Sequence, residues 1–349
     1  MGSYPIYKGI PLFFIIKTIK LIFLILIIRG TLISISAYSW INIWIGLELN
    51  LLAFIPIINL DNFKYSSESS LKYFLVQVSA SILVLFSFLN SFILINSIEQ
   101  LIPTSIFLFN RAILIKIGAA PFHFWYPEVL EGLRWANALL LITWQKIAPI
   151  ILIIYNFKLN LFFILIILIC ITLGSVKTWN QTRLKKILAL SSINHSGWIL
   201  RIIILNQSLW ILYFLIYTFI SLNIILIFNK YKIFNIKDLI NNMNYNKTLK
   251  FYFFLNFFSL GGIPPFLGFF PKWLILKTLI ENHFYFLSFI IIFITLICIY
   301  IYIRLILQSL IIKLNENKKF NYINSYYVIF LNWVNIYGLI IFTVIFRIY

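Results

Sequence analysis

Charge is scarce in this chain, and acid scarcer still. Asp, Glu, Lys and Arg together make up 11% of the 349 residues, and only nine are Asp or Glu. Soluble domains carry about a quarter charged residues, so a water-facing globular fold is excluded. Cysteine and methionine number two each. Cys170 and Cys298 are too few for a disulfide framework and lack metal-ligand spacing; both fall in apolar stretches and read as small apolar filler. No glycine-rich loop that cradles a nucleotide, no Cys-x-x-Cys run for an iron–sulfur cluster and no His pair at haem-ligating spacing is present. The residues supply no redox chemistry of their own.

What fills the chain instead is apolar. Hydrophobic residues make up 62%, and mean hydropathy is +0.99. Apolar stretches of about 20 residues recur from end to end, each long enough to cross a hydrocarbon core of about 30 Å. Alternating strand patterns are absent, and in lipid only helices then satisfy the backbone. The expected fold is an all-α integral membrane bundle of about eleven transmembrane helices, at 11–36, 39–59, 71–95, 103–127, 136–155, 159–176, 186–205, 208–229, 251–280, 284–311 and 327–347.

The formal net charge of +19 raises nucleic acid as a partner, but its placement argues for a membrane. With these spans, one side receives Lys64, Arg134, Lys177, Arg183, Lys185, Lys186, Lys230, Lys232, Lys237, Lys247, Lys250, Lys313, Lys318 and Lys319, and the other little beyond Lys158. This positive-inside asymmetry puts the N-terminus and the basic loops on the cytoplasmic or matrix side. The opening MGSYPIYKGIPLFF runs straight into the first span, with no cleavable presequence evident. Abundant Phe (36) and Tyr (20), with crowded Ile, Asn and Lys, fit codons rich in A and T and hence an organellar genome.

The polar loops at 61–70, 230–250 and 312–326 are too short for a second domain, so residues 1–349 form a single polytopic membrane domain. It contains an echo. Residues 121–127 read Pro-Phe-His-Phe-Trp-Tyr-Pro and 265–271 read Pro-Phe-Leu-Gly-Phe-Phe-Pro, each after small residues. Proline removes a donor and clashes with the preceding turn, so each motif is expected to break a helix. Two broken helices in matching places point to a transporter built from repeats, one over about 11–155 and one over about 159–311, followed by a C-terminal helix at 327–347. Two ordinary proline kinks are the plain alternative.

Four ionisable residues fall within spans: Glu48, Lys116, Lys146 and Lys272. A charge at the bilayer centre costs about 2.5–3.5 kcal/mol on insertion scales, so such groups are paired, hydrated or functional. Lys116 and Lys272 have snorkelling to the interface as an alternative; Glu48, short and mid-span, has none. One carboxylate and three lysines on separate helices make a poor catalytic set and a good proton path. Two opposite charges ~4 Å apart at an effective dielectric of 20 attract by about 4 kcal/mol. Moving one charge against 100 mV costs about 2.3 kcal/mol, so parting such a pair is large enough to release a proton. His123, inside the first break motif, is a relay candidate or a hydrogen-bonding group of the break. His195, beside Ser191, Ser192 and Asn194, belongs to a hydrated path or to helix–helix adhesion, and His283 reads as solvated.

The segments WIGLELNLLAFIP, SSLKYFLVQ, GAAPFHFWYPEV, LLITWQKIAP, NQTRLKKILALSSINHSGW and GGIPPFLGFFPKW resemble the chain 2 family of mitochondrial NADH–ubiquinone oxidoreductase, in an invertebrate-like form, over about residues 30–310. The first dozen residues look like an extension. The resemblance implies an antiporter-like fold of two inverted five-helix repeats, a place in the mitochondrial inner membrane with the basic side toward the matrix, and proton pumping coupled to quinone reduction elsewhere in the complex. It also implies that Glu48 and Lys116 are a coupled pair, Lys146 the central relay lysine and Lys272 the terminal channel lysine. FMN, iron–sulfur clusters and ubiquinone are expected on other subunits, with no cofactor on this chain. The expected partners are neighbouring membrane subunits, antiporter-like chains above all, and the lipid bilayer, with no nucleic acid.

Some positions depart from that family. Arg111 and Arg201 lie in apolar spans where it has small or polar residues, and Arg183 and Lys177 are atypical. Methionine is scarce while isoleucine abounds. Both oddities are expected if ATA and AGA codons, read here as Ile and Arg, are decoded as Met and Ser in the organelle; +19 then overstates the charge. Two other functions stay open on the residues alone, a stand-alone cation/proton antiporter and a structural membrane scaffold, the second of which ignores the four buried charges.

Overall fold

The structure is a computed structural model that describes residues 12–60, 63, 65–94, 102–156, 161–245, 247–311 and 330–339. The expectations about the first dozen residues, Lys64, Lys158, Lys313, Lys318, Lys319, the loop at 312–326 and the end of the last helix lie outside the described residues. Every long apolar run forms a helix: α1 (Leu12–Ser36), α2 (Trp40–Asn59), α3 (Ser66–Leu94), α8 (Leu161–Val176), α9 (Leu184–Leu205), α10 (Leu209–Tyr231) and α14 (Tyr285–Ile311). Among the described residues seven helices are long and apolar enough to span a membrane, one of them the interrupted segment Trp135–Tyr155. The chain is a multi-pass membrane protein. Among the described residues the only β-type pairing is an isolated bridge between Arg183 and Asn235.

Both proline motifs break their helices as expected. The first span divides into α4 (Ile102–Ile117) and α5 (Trp125–Gly132), and the second into α12 (Lys247–Gly261) and α13 (Phe269–Glu281). Each first half ends on a glycine in the left-handed region, Gly118 at φ 73° and Gly262 at φ 79°, which lets the chain turn out of the helix without Cβ strain. Each break then passes a cis X–Pro bond, Ala120–Pro121 and Pro264–Pro265.

A third interruption departs from the continuous helix expected at 136–155. The chain forms α6 (Trp135–Ile142) and α7 (Trp144–Tyr155), joined at Thr143. Two local causes act together. Pro149 has no amide proton for the carbonyl of Gln145. The Thr143 hydroxyl bonds back to the Leu139 carbonyl at 2.8 Å. The loop expected at 230–250 likewise holds a short helix, α11 (Ile236–Tyr245), and residues 330–339 form the last described helix, α15.

Burial is graded across the bundle. In α9, 94% of the span is buried, against 22% in α1 and 39% in α14, so α9 is the axis around which the others pack. It contacts α5, α8, α10 and α13. Leu21, Leu32, Leu75, Leu89, Phe289 and Phe293 form an exposed apolar rim, the surface that a bilayer covers. Gly46 lets α1 and α2 meet, since a Cβ there would stand 2.6 Å from the backbone N of Ser34.

Candidate functional site

The first break leaves backbone groups without helical partners, and neighbouring side chains take them up. Trp125 Nε1 donates to the Ile115 carbonyl at 3.2 Å, and Gln77 Nε2 to that of Lys116 at 3.4 Å. The Ala120 amide donates to Cys170 Sγ at 3.2 Å. Cys170 is therefore more than filler: it satisfies backbone that the break has freed inside the membrane. Cys298 instead accepts from a side-chain amide, Asn194 Nδ2, at 3.0 Å.

Lys116, in the last turn of α4, and Lys146, in the first turn of α7, line one small cavity of about 20 Å³ together with Asn50, Tyr73, Gln77 and Gln145. That is room for about one water with several polar partners. Gln145 Nε2 donates to Asn50 Oδ1 at 3.0 Å, and Tyr73 Oη to Gln145 Oε1 at 3.5 Å. Both lysines are buried, at 8% and 2% exposure, so neither reaches the interface by snorkelling. Glu48, half-buried on α2, acts electrostatically on Lys116 and Tyr73. It makes no ion pair with Lys116 among the described residues, so the two charges sense each other across a gap.

From Lys146 the polar groups continue along α9. Lys146 Nζ donates to the Ser192 carbonyl at 3.1 Å and lies 5.1 Å from the Tyr126 ring. His195, one turn along α9 from Ser192, bonds the Tyr213 hydroxyl through Nδ1 at 2.7 Å and packs on Tyr217. Its ring lies within electrostatic reach of both Lys146 and Lys272. Lys272, in the first turn of α13 and 8% exposed, donates to the carbonyls of Gly261 at 2.6 Å and Leu260 at 3.3 Å. These are the acceptors that the second break strips of helical partners at the negative end of the α12 dipole. Glu48, Lys116, Lys146, His195 and Lys272 thus succeed one another through the bundle.

His123 stands apart from this row. Buried in the first break, it meets Lys177 Nζ through Nε2 at 2.7 Å and the Pro121 carbonyl through Nδ1 at 3.2 Å. A tautomer with the proton on Nδ1 satisfies both. His283 is exposed and touches Tyr285. The row also includes groups that residue reasoning passed over, namely Asn50, Tyr73, Gln77, Gln145, Tyr126 and Tyr213. Spacing carried some signal: Gln77 and Tyr73 are four apart on one helix face, and Asn50 lies two residues from Glu48.

The basic residues divide into three kinds. Lys72 bridges Glu68 and Glu128 at 2.9 Å each, exposed pairs that contribute little stability, and half-buried Glu131 pairs with Arg183 and, at 3.0 Å, with Lys186. Lys185 does not lie in a solvated loop, as its place among the basic connections implied. It is 3% exposed, beneath the rings of Phe63, Trp135 and Phe234, and donates to the Glu131 and Leu133 carbonyls at the end of α5. Arg201 is different again: it is fully buried, with its guanidinium 4.8 Å from the Phe284 ring, and none of its three nitrogens has a hydrogen-bond partner among the described residues.

The family described as "NADH:quinone oxidoreductase/Mrp antiporter, TM" matches residues 37–299. The chain belongs to that family. NADH-ubiquinone oxidoreductase chain 2 of Anopheles gambiae is 44% identical over 93% of this chain and 97% of its own length, and that of Aedes aegypti 45% over 94% and 98%. Among solved structures, respiratory complex I from Thermus thermophilus contains a chain with a TM-score of 0.79 at 19% identity, covering 92% of this chain and 78% of that one. The Mrp complex from Dietzia shares the fold at a TM-score of 0.71, covering 81% of this chain and 59% of that one.

Proposed function

We propose that the chain is a proton-translocating membrane subunit of NADH:ubiquinone oxidoreductase, and that Glu48, Lys116, Lys146, His195 and Lys272 carry the proton. One observation carries the reading: Lys116 and Lys146, from separate broken helices, line the same water-sized cavity deep in the bundle. A proton on one lysine has a route of hydrogen-bonding groups to the next, and raising the charge on one disfavours charge on the other. Glu48 biases the first lysine from across its gap, so a conformational change that alters that gap alters which lysine holds the proton. His123 is assigned to a side branch through Lys177, not to the main row.

The identity of the insect relatives supports a place in the mitochondrial inner membrane with the basic loops toward the matrix. It likewise supports neighbouring antiporter-like chains as partners, with FMN, iron–sulfur clusters and ubiquinone held by other subunits. Similarity to Mrp antiporters keeps a stand-alone cation/proton exchanger as the second reading. Purification separates the two. A subunit of the large enzyme co-migrates with an NADH-oxidising assembly, whereas an independent exchanger drives pH-dependent cation flux when reconstituted alone. The row itself is tested by Lys146→Met in the whole complex, where pumping is expected to fall while assembly is kept; undiminished proton transfer contradicts the assignment.

A further inference from the structure

The last described helix belongs to neither expected repeat, yet it sits on the second break. One face of α15 is exposed, through Phe330, Trp333 and Tyr337, while Asn332 and Asn335 are 1% and 0% exposed. Both asparagines meet Asn256 of α12, which is itself 1% exposed. Asn256 Nδ2 donates to Asn332 Oδ1 at 2.7 Å, and Asn335 Nδ2 donates to Asn256 Oδ1. A fourth amide joins them from α10, Asn223 Nδ2 donating to the Leu331 carbonyl at 3.4 Å. An amide buried at membrane depth without a partner is costly, so this ladder fixes the register of α15 on α12.

The same helix also holds the break. The Leu267 amide, inside the 262–268 turn, donates to the Asn335 carbonyl at 3.3 Å. Gly338, one turn further, lies so close that a Cβ there would stand 2.1 Å from Leu267 Cδ1. Gly268 in turn abuts α12, since its Cβ would come 1.7 Å from the Ser259 carbonyl oxygen, and Ser259 Oγ donates to the Asn256 carbonyl at 2.8 Å. Asn256 stands one turn before Leu260 and Gly261, whose carbonyls receive Lys272 Nζ.

We infer that α15 is a latch for the second break, and that Asn256, Asn332 and Asn335 are positioning residues for Lys272. They set where the freed carbonyls of α12 point, and so where the Lys272 ammonium rests between proton uptake and release. The inference rests on the proposed role of Lys272 in transport, and it makes the C-terminal helix part of the channel's working geometry.

The test uses the whole NADH-oxidising complex carrying Asn335→Leu, reconstituted in liposomes, with Lys272→Met measured beside it. Protons moved per NADH oxidised are expected to fall in Asn335→Leu by about half or more of the loss seen in Lys272→Met, because small displacements of a proton-transferring group cost large factors in rate. NADH oxidation is expected to hold, while the melting temperature of the complex falls modestly, since buried Asn256 Oδ1 loses its donor. Asn335→Ser, which keeps a donor for Asn256 Oδ1, restores most of the yield. If Lys272→Met lowers the yield and assembled Asn335→Leu does not, the latch is overturned while the transport role stands. If Lys272→Met itself changes nothing, the transport role fails first. Should Asn335→Leu not assemble, Gly338→Ala decides: it presses on Leu267 without removing an amide, and a full proton yield from that assembled complex overturns the latch.

Discussion

The two broken helices read almost alike in sequence and work differently in the fold. In the first, the lysine precedes the break, and other residues satisfy the freed backbone: Trp125, Gln77 and Cys170. Lys116 is left facing a small polar cavity, and its Nζ takes no part in those bonds. In the second, the lysine follows the break and itself caps the freed carbonyls of Leu260 and Gly261. One break therefore leaves its lysine responsive to a neighbouring charge, and the other ties its lysine to the backbone. The two breaks thus leave one lysine facing a small cavity and hold the other on freed backbone carbonyls.

Lys146, between the two, is where the comparison breaks most completely if it is wrong. Replacing it with Met removes the group shared by the cavity and the α9 stripe. The expected loss in proton transfer through this chain is on the order of 100-fold, the low end for removal of a positioned acid–base group. Proton flux per NADH in proteoliposomes reads it, and a wild-type flux from assembled complex removes Lys146 from the row.

The pair Lys116→Met and Lys272→Met sharpens the contrast. Both are expected to lower pumping, but only the second strips a charged donor from buried carbonyls, at a cost of about 1.5–3 kcal/mol. Thermal unfolding of the complex separates them: Lys272→Met lowers the melting temperature and Lys116→Met leaves it near wild type. Equal melting temperatures count against the capping role.

Smaller effects are expected at the glycines that open the breaks. Alanine at Gly118 or Gly262 incurs about 1–2 kcal/mol for a left-handed conformation. Gly262→Ala adds a contact, since its Cβ meets Lys272 Cδ at 2.7 Å, whereas that of Gly118 meets the Tyr126 ring at 3.0 Å. Gly262→Ala is therefore expected to reduce pumping more than Gly118→Ala at similar losses of stability. The reverse order would mean that the first break, not the second, sets the lysine's position.

Much of this was legible in the residues because membranes impose strict rules. Helical spans follow from apolar length, the two breaks from Pro and Gly, and the place of Lys116, Lys146 and Lys272 within the bundle from the apolar runs that flank them. What stayed hidden depends on distance between helices. No spacing rule shows that Cys170 meets Ala120, that Lys185 folds under Trp135, or that Asn256 meets α15, because each pairing joins elements 50 or more residues apart. The interruption at Thr143 was missed for a subtler reason: Pro149, whose position was plain, acts on the turn that precedes it.

The least effect on transport is expected from the anomaly at position 201, where two buried cations of α9 make the closing comparison. Lys185 and Arg201 are both sealed in protein, yet Lys185 has two carbonyl acceptors and three aromatic faces, while Arg201 has one ring and three nitrogens without hydrogen-bond partners among the described residues. A guanidinium does not shed its proton to escape burial, and an unpaired buried charge costs several kcal/mol. A serine at this position would meet no such penalty. Ser191, Ser192 and Ser196 on the same helix each donate to a carbonyl three residues back, at 2.6–2.8 Å. Serine is accordingly expected at 201 in the protein the organelle makes. Arg183 has Glu131 for a partner, so its surroundings place no such demand on it. Peptide mass spectrometry across 197–205 reads the residue directly. Arginine found there ends the recoding account and leaves α9 with a sealed charge that has the Phe284 ring as its contact.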